Sequence, residues 1–576
     1  MSQTIESVKQ SRVKARHATR WMLAIRALAC GYVLLGGGAA RAGELFRDAD
    51  LSIRWDNTLK YSAGWRLSGR ERALIADPNG DDGDRNFSPG LISNRFDLLS
   101  ELGIAYRNVG FEGSAAAWYD GVYNGATDSD SVQPASFYPV PSRVADEVRD
   151  LHGRRIELLN AFAYVNTRIG DMPVTLRAGR HTLLWGESVF FAGNGIAAGQ
   201  APIDGVKGAG VPAVRAKEVF MPVAQVSATF QPRADLVLAG YYQLEWRKTR
   251  IPGVGSYFSA ADFLDAGGYR LYVARNQWLS RIADRTPAAD GQFGLSLRGT
   301  GGAVDWGFYA LRFHAREPQV YLRPTPTPAF SPAAASAATV ERALAYGYTP
   351  GIVGSTGTPT RLAYPFGVGL PEGNVGNYFL VYPRGIEIYG ASISSYVGDS
   401  TLAGEMSVRR HMPLVSALIV AQPGRESQAL YARGDTAHAQ VSFSTTLSPS
   451  SLWRTAELTA EIAANHRLRV DLNPGVLDPT RNRFAASIRV LFEPRYFAVL
   501  PGLDVGVPIS VGHGIAGRSS VDASQDPATG DVTVGLSLTY RTVWLATVGM
   551  TRFLGRPDRQ PFADRDYISL SLQRTF

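Results

Sequence analysis

Five side chains with hard oxygen donors crowd one short stretch: Asp77, Asn79, Asp81, Asp82 and Asp84. Carboxylates and amides at that density are the kind of donor set that holds Ca²⁺. The spacing is not that of an EF-hand. Asp82 stands where its glycine belongs, and no Glu follows at the twelfth position. A solvated loop, or one ordered by Arg72 and Arg85, accounts for the same residues more simply. No metal and no cofactor is therefore assigned.

His181, Trp185, Glu187 and Ser188 place a base and a hydroxyl close together in the chain, the raw material of a hydrolase. No G-x-S-x-G elbow accompanies them. An extended chain would hold His181 and Ser188 roughly 20 Å apart, so the short spacing is not diagnostic. An inward-facing histidine beside a loop entrance is the plainer reading, and the chain is read as not an enzyme.

The remaining candidates are charges on alternating segments. Arg54, Lys60, Arg177, Arg247, Arg298, Arg409 and Arg489 are basic; Asp56, Asp97, Glu101, Glu112, Asp120, Glu245, Glu405, Glu457 and Glu461 are acidic. Segregated around a pore they would set up a transverse field that orients dipolar solutes. Paired across strands they would simply fill the interior. Sequence alone cannot place them around a circumference.

The elements that must carry these residues are strands. In the final segment Ile568, Leu570, Leu572 and Phe576 fall on one face, and Ser569, Ser571, Gln573 and Thr575 on the other. That is period-2 alternation, with Arg574 out of place. Similar segments recur from Leu51 onward, and the connections between them switch between short and long. Short turns are expected near Asn108-Val109-Gly110, Gly170–Pro173, Gln231–Asp235, Gly301-Gly302, Gly398–Ser400 and Arg541-Thr542, with somewhat longer ones near Ser448–Arg454 and Glu493–Leu500. Long loops are expected after Leu67 and near 124–154, 186–220, 251–290, 315–383, 413–434, 468–482, 514–530 and 555–565.

Alternating strands with short turns at one end and long loops at the other predict an all-β, antiparallel transmembrane barrel of the outer membrane. About 18 strands are expected, with about 14 to 16 as the alternative. Even strand number puts both termini at the short-turn end. A tag near Ala335 should then be reachable from outside, and one near Gly302 should not. A propeller would show a sequence repeat, and none is visible. Tyr106, Tyr123, Trp246, Phe492, Tyr540 and Phe576 are expected in aromatic girdles.

The composition agrees. Gly at 60, Tyr at 25 and Trp at 10 suit a turn-rich barrel with interfacial aromatics. Lys9, Arg12, Lys14, Arg16 and Arg20, the apolar run Trp21–Leu35 and Ala40-Arg41-Ala42 read as a signal peptide over residues 1–42. Residues 43–576 would then form one domain without cysteine. Seven Lys/Arg against Glu6 in residues 1–42 take +6 of the formal +8, leaving +2. Nucleic-acid binding thus loses its main support.

Several patterns resemble a known group: Asp81-Asp82-Gly83-Asp84-Arg85-Asn86-Phe87 followed by Asn94-Arg95, then Trp118-Tyr119-Asp120, Gly179-Arg180, Trp185-Gly186-Glu187 and Asn194. The chain is similar in these to the proteobacterial outer-membrane proteins of domain-of-unknown-function family 1302. The resemblance implies a porin-like protein associated with uptake or export of hydrophobic compounds. It brings no catalytic residues.

The leading expectation is a channel for small solutes, hydrophobic or aromatic compounds among them, that performs no covalent chemistry. A lateral-opening transporter for hydrophobic molecules and an outer-membrane hydrolase are the alternatives. Expected partners are outer-membrane lipid and lipopolysaccharide, the barrel-assembly machinery reading Phe576, and a small-molecule solute. The location is the outer membrane of a Gram-negative bacterium. Pore-lining or constriction candidates are Arg54, Asp56, Asp97, Glu101, Asp120, Arg177, His181, Trp185, Glu187, Phe190, Phe191, Asn194, Glu245 and Arg247. The connection from Gly186 to Phe220 is expected to fold inward and narrow the barrel. Its glycines permit tight turns, and Val189, Phe190, Phe191, Ile196 and Ile203 would find only water outside.

Overall fold

Alternation along the chain builds one closed sheet. The computed structural model describes residues 43–131, 142–212, 216–274, 276–324, 373–421 and 424–576. The expected signal peptide and the tag position at Ala335 lie outside them.

Eighteen strands form the wall. They are β1 Leu51–Arg66, β2 Gly90–Tyr106, β3 Val109–Asp120, β4 Arg154–Ile169, β5 Met172–His181 and β6 Val223–Arg233. Next come β7 Leu236–Gln243, β8 Gln292–Gly301, β9 Val304–Phe313, β10 Ile386–Val397, β11 Ser400–Pro413 and β12 Arg433–Leu447. The last are β13 Thr455–Leu472, β14 Phe484–Leu500, β15 Leu503–Gly506 continued by Ile509–Ala516, β16 Gly530–Tyr540, β17 Trp544–Leu554 and β18 Tyr567–Thr575.

Every neighbouring pair is antiparallel, and β18 closes the ring on β1 through Thr58↔Thr575 to Arg66↔Tyr567. The short strand Gly43–Arg47 pairs with β1 beyond the end of β18. Closure leaves the wall without an unpaired edge. Arg574 departs from the alternation because its guanidinium lies over the Trp544 ring, 5.2 Å from the centroid.

The wall is inverted relative to a soluble protein. Ile156, Leu295, Phe308, Ile393, Met406, Val441 and Val534 are exposed on the outside. Lys60, Gln225, Ser296, Glu405, Arg409, Gln440, Glu461 and Ser571 are buried on the inner face.

The short turns fall where the sequence puts them, with one correction. Glu493–Leu500 is strand, and the turn is tight at Pro501-Gly502, where Gly502 has φ +78°. Pro494 is accommodated within β14 because it sits opposite the interruption of β15 at Val507-Pro508, where its carbonyl accepts from Val507 N at 3.0 Å. Two aromatics are also corrected. Tyr123 is buried among loop residues, its hydroxyl accepting from Tyr257 N at 3.1 Å. Trp246 donates from Nε1 to the Ala315 carbonyl at 3.2 Å. Both lie just past a strand's last paired residue, where loops fold across the barrel end.

Those loops carry structure the alternation did not announce. Arg270–Ala274, Gln277–Arg281, Gln319–Pro324, Gly373–Val381 and Ile419–Val420 form a separate five-stranded sheet that mixes parallel and antiparallel pairs. It buries Tyr321, Phe379, Leu279 and Tyr378.

Candidate functional site

The connection from β5 to β6 does not stay at the barrel end. Its anchors are inner-face groups of β11, β12 and β13, six to eight strands around a ring of 18 from where the loop leaves the wall. The Glu405 carboxylate accepts from Glu187 N at 2.7 Å and from Ile196 N at 2.9 Å. Glu461 accepts three successive amides, Val189 at 3.1 Å, Phe190 at 2.5 Å and Phe191 at 3.0 Å. Arg409 donates to the carbonyls of Gly193, Asn194 and Gly195 at 3.1, 2.6 and 2.9 Å. Two carboxylates thus take amide donors while a guanidinium takes carbonyls, which satisfies an irregular backbone that has no ladder of its own.

Small residues allow this approach. Gly186 has φ +96°, and a Cβ there would lie 2.1 Å from Glu405 Oε2. At Gly195 it would lie 2.5 Å from Glu405 Oε1. Asn194 ties the loop to the wall from both ends of its amide. Its Nδ2 donates to Gln440 Oε1 at 3.2 Å, and its Oδ1 meets His438 Nδ1 at 3.0 Å.

The loop then crosses an apolar patch. Trp185 and the fully buried Ile196 pack with Tyr241, Tyr309, Leu311 and Ile388. Arg316 donates to the carbonyls of Ala198 and Gln200 at 3.1 and 3.3 Å. Farther on, Asp204 caps the helix Gly205–Gly210 by accepting from Lys207 N at 3.1 Å. Asp204 also pairs with Arg250 at 2.6 Å, and Arg250 in turn reaches Glu157 of β4.

The candidates divide by environment. Arg54 pairs with Asp56 at 2.5 Å, and Asp97 and Glu101 lie directly across from Lys60 and Asp56 on the inner face. Arg177 is exposed on the same face as Ser227, its register partner. Glu187, Phe190 and Phe191 are half-buried, and Val189 is half exposed. Asp120, His181, Trp185 and Asn194 are buried. Asp120 is committed to Ser93 Oγ and to the amides of Asn94 and Val122. Glu245 pairs with Arg180 at 2.8 Å, while Arg247 donates to the Pro222 carbonyl at 2.8 Å.

His181 is not brought to Ser188: its Nε2 meets Ser227 Oγ at 2.9 Å, and its Nδ1 faces the Gly179 carbonyl at 3.1 Å. Among the inward charges, Arg489–Asp531 and Arg495–Glu457 pair across strands at 2.6 and 3.0 Å.

A second charged cluster lies among the long loops. Arg66 and Arg565 both hold Asp84, each at 3.0 Å. Arg85 holds Asp81 at 2.5 Å. Arg66 and Arg565, rather than Arg72, thus join Arg85 in ordering the acidic stretch. Asp81, Asp82 and Asp262 are buried with carboxylate oxygens within 4.8 Å of one another, the grouping in which a cation could be held. Burial pushes Asp81 up to about 6 against the pull of Arg85. Burial and the neighbouring Asp82 charge hold Asp262 well above the usual carboxylate range. Nearby, burial drives His152 down to about 3, its Nε2 accepting from Gly253 N at 3.0 Å. Asp262 was not legible as a partner, because it lies 180 residues from Asp82 in the chain.

The family described as "Protein of unknown function (DUF1302)" matches residues 23–576. No curated protein matches the sequence. Among solved structures, the chain is similar to Acinetobacter baumannii OccAB4, with 9% identity over 91% of this chain and 98% of that one and a TM-score of 0.43. Pseudomonas aeruginosa OccK5 (OpdH) gives 8% identity over 91% and 98%, with a TM-score of 0.41. Pseudomonas aeruginosa OccK9 (OpdG) gives 10% over 91% and 97%, with a TM-score of 0.40.

Proposed function

We propose that this chain, which belongs to the DUF1302 family, is an outer-membrane channel of a Gram-negative bacterium that passes small solutes through its lumen without covalent chemistry. Exposed apolar side chains around a closed wall need hydrocarbon, and a closed wall leaves no backbone group there without a partner. A ring of 18 strands encloses an aqueous channel unless something fills it. The polar inner face supports that lumen. Cleavage after Ala42, lipid and lipopolysaccharide around the wall, and an assembly machinery that reads Phe576 belong to the same reading.

The observation that carries the proposal is the docking of residues 186–196 on Glu405, Arg409 and Glu461. It puts a folded segment between facing parts of the wall, where it acts as the constriction. Arg177 and Glu187, with Arg54–Asp56 and Glu101 nearer the short-turn end and the Arg95-bound Asp97 at mid-strand, are the groups a passing solute would meet. The half-buried rings of Phe190 and Phe191 offer apolar contact beside them, which suits hydrophobic or aromatic solutes.

A central path is favoured over a lateral one. The break in β15 is bridged by Val507 N to Pro494 O at 3.0 Å and by Gly535 N to Pro508 O at 2.8 Å. Folded protein in planar bilayers should give stepwise ion currents. Absence of current from heat-modifiable, inserted protein would overturn the channel reading.

A further inference from the structure

We infer that Asp81, Asp82 and Asp262 form a Ca²⁺ site that fastens the loop between β1 and β2 to the loop between β7 and β8. The three carboxylates come from two loops and meet in the interior: Asp81 is 4% exposed, Asp82 2% and Asp262 0%. Their oxygens lie within 4.8 Å of one another. Oxygens that close can share one Ca²⁺, whose coordination sphere is about 4.6–5.2 Å across for metal–oxygen distances of about 2.3–2.6 Å.

The second observation is independent of the clustering. Asp81 Oδ1 and Asp262 Oδ1 are both buried and have no hydrogen-bond partner. Their other oxygens are engaged, Asp81 Oδ2 by Arg85 Nε and Asp262 Oδ2 by Asp82 N at 2.8 Å. A buried carboxylate oxygen left bare is costly, and native proteins resolve it with a donor or a cation.

The nearby guanidinium is already spent. Arg565 gives Nε and Nη2 to Asp84 and Nη1 to the carbonyls of Tyr257 and Ser259. Arg85 pairs with the cluster through Asp81. The backbone between Asp82 and Asp84 is closely packed. A Cβ on Gly83 would lie 2.8 Å from the Ser256 carbonyl and 3.0 Å from that of Ser259. The Ser256 hydroxyl beside them is also buried and unpartnered.

An all-oxygen, carboxylate-rich set selects a hard cation over Zn²⁺ or Cu²⁺. Ca²⁺ suits it better than Mg²⁺, which keeps its waters and demands a tighter octahedron. The loops that meet here belong to the long-loop end of the barrel, outside the cell in the proposed orientation. Ca²⁺ would therefore be met without crossing the membrane. Once bound, it would hold the two loops together over the barrel mouth.

The test is a calorimetric Ca²⁺ titration of the full, detergent-folded chain after chelator treatment, with Mg²⁺ as competitor. One Ca²⁺ per chain is expected, with a Kd of about 10⁻⁵–10⁻³ M and Mg²⁺ at least tenfold weaker. Asp262→Asn should weaken binding at least tenfold, whereas Asp77→Asn, an exposed carboxylate of the loop that carries Asp81 and Asp82, should leave it unchanged. No binding by the unaltered chain at millimolar Ca²⁺ overturns the site whether or not the variants fold. So does equal affinity in Asp262→Asn, or an equal loss in Asp77→Asn.

Discussion

Removing the Glu461 carboxylate should loosen the constriction while the barrel stays intact. Three successive backbone amides, those of Val189, Phe190 and Phe191, point at its two oxygens. A hydrogen bond to a charged acceptor contributes about 1.5–3 kcal/mol. Three bonds to one group are not additive, and water entering where the carboxylate stood would recover part of the loss. We take about 2–4 kcal/mol for Glu461→Ala as a whole. At tenfold per about 1.4 kcal/mol, the undocked population of residues 188–192 rises roughly 30- to 1000-fold. Glu405 still holds Glu187 on one side, and Arg409 and Asn194 hold Gly193 onward on the other, so the change is a local opening. Single-channel recording should show new, larger-conductance substates and more open-channel noise. Limited proteolysis should cut within 188–192. Identical conductance, noise and protease resistance in the folded variant would refute the reasoning.

Gly186→Ala should produce a related defect by another route. The new Cβ would meet Glu405 Oε2 at 2.1 Å, and φ +96° adds about 1–2 kcal/mol of backbone strain for a non-glycine residue; raised conductance is expected, and unchanged conductance would argue against close docking. Acid should weaken the packing around His152, whose pKa near 3 lies below the roughly 6.5 of an unfolded histidine. Only the unfolded state takes up the proton between those values, so stability is full above about pH 6.5 and falls toward pH 3. Comparing thermal midpoints at pH 7 and pH 4 checks this, and His152→Gln, which keeps an acceptor for Gly253 N, should show the smaller drop. Deleting Phe576, whose amide and carbonyl both bond Asn57, should lower the heat-modifiable fraction in membranes, and unchanged assembly would remove its role.

The wall was largely legible because its signal is local. Period-2 alternation and short turns such as Gly170-Asp171 and Gly398-Asp399 are written in neighbouring residues, and the ring of 18 strands follows from them. The longer connection expected near Glu493–Leu500 is strand instead, since Pro494 is harmless where the facing strand is itself interrupted. The inward-facing Glu405, Arg409 and Glu461 were legible as charges. Their partners were not, since each bonds backbone amides or carbonyls more than 200 residues away. The loop sheet and the approach of Asp262 to Asp82 are similarly non-local. Tyr123 and Trp246 show the same limit: position near a strand end is readable, but which way the chain folds beyond it depends on distant loops.

Replacing Val189–Val211 with a short Gly-Ser bridge, and comparing single-channel conductance with that of the unaltered chain, tests whether the docked loop sets the width of the channel. The variant should fold into a barrel with higher conductance and weaker discrimination between solutes of different size; equal conductance and equal discrimination in a folded, inserted variant would mean that the loop does not set the width.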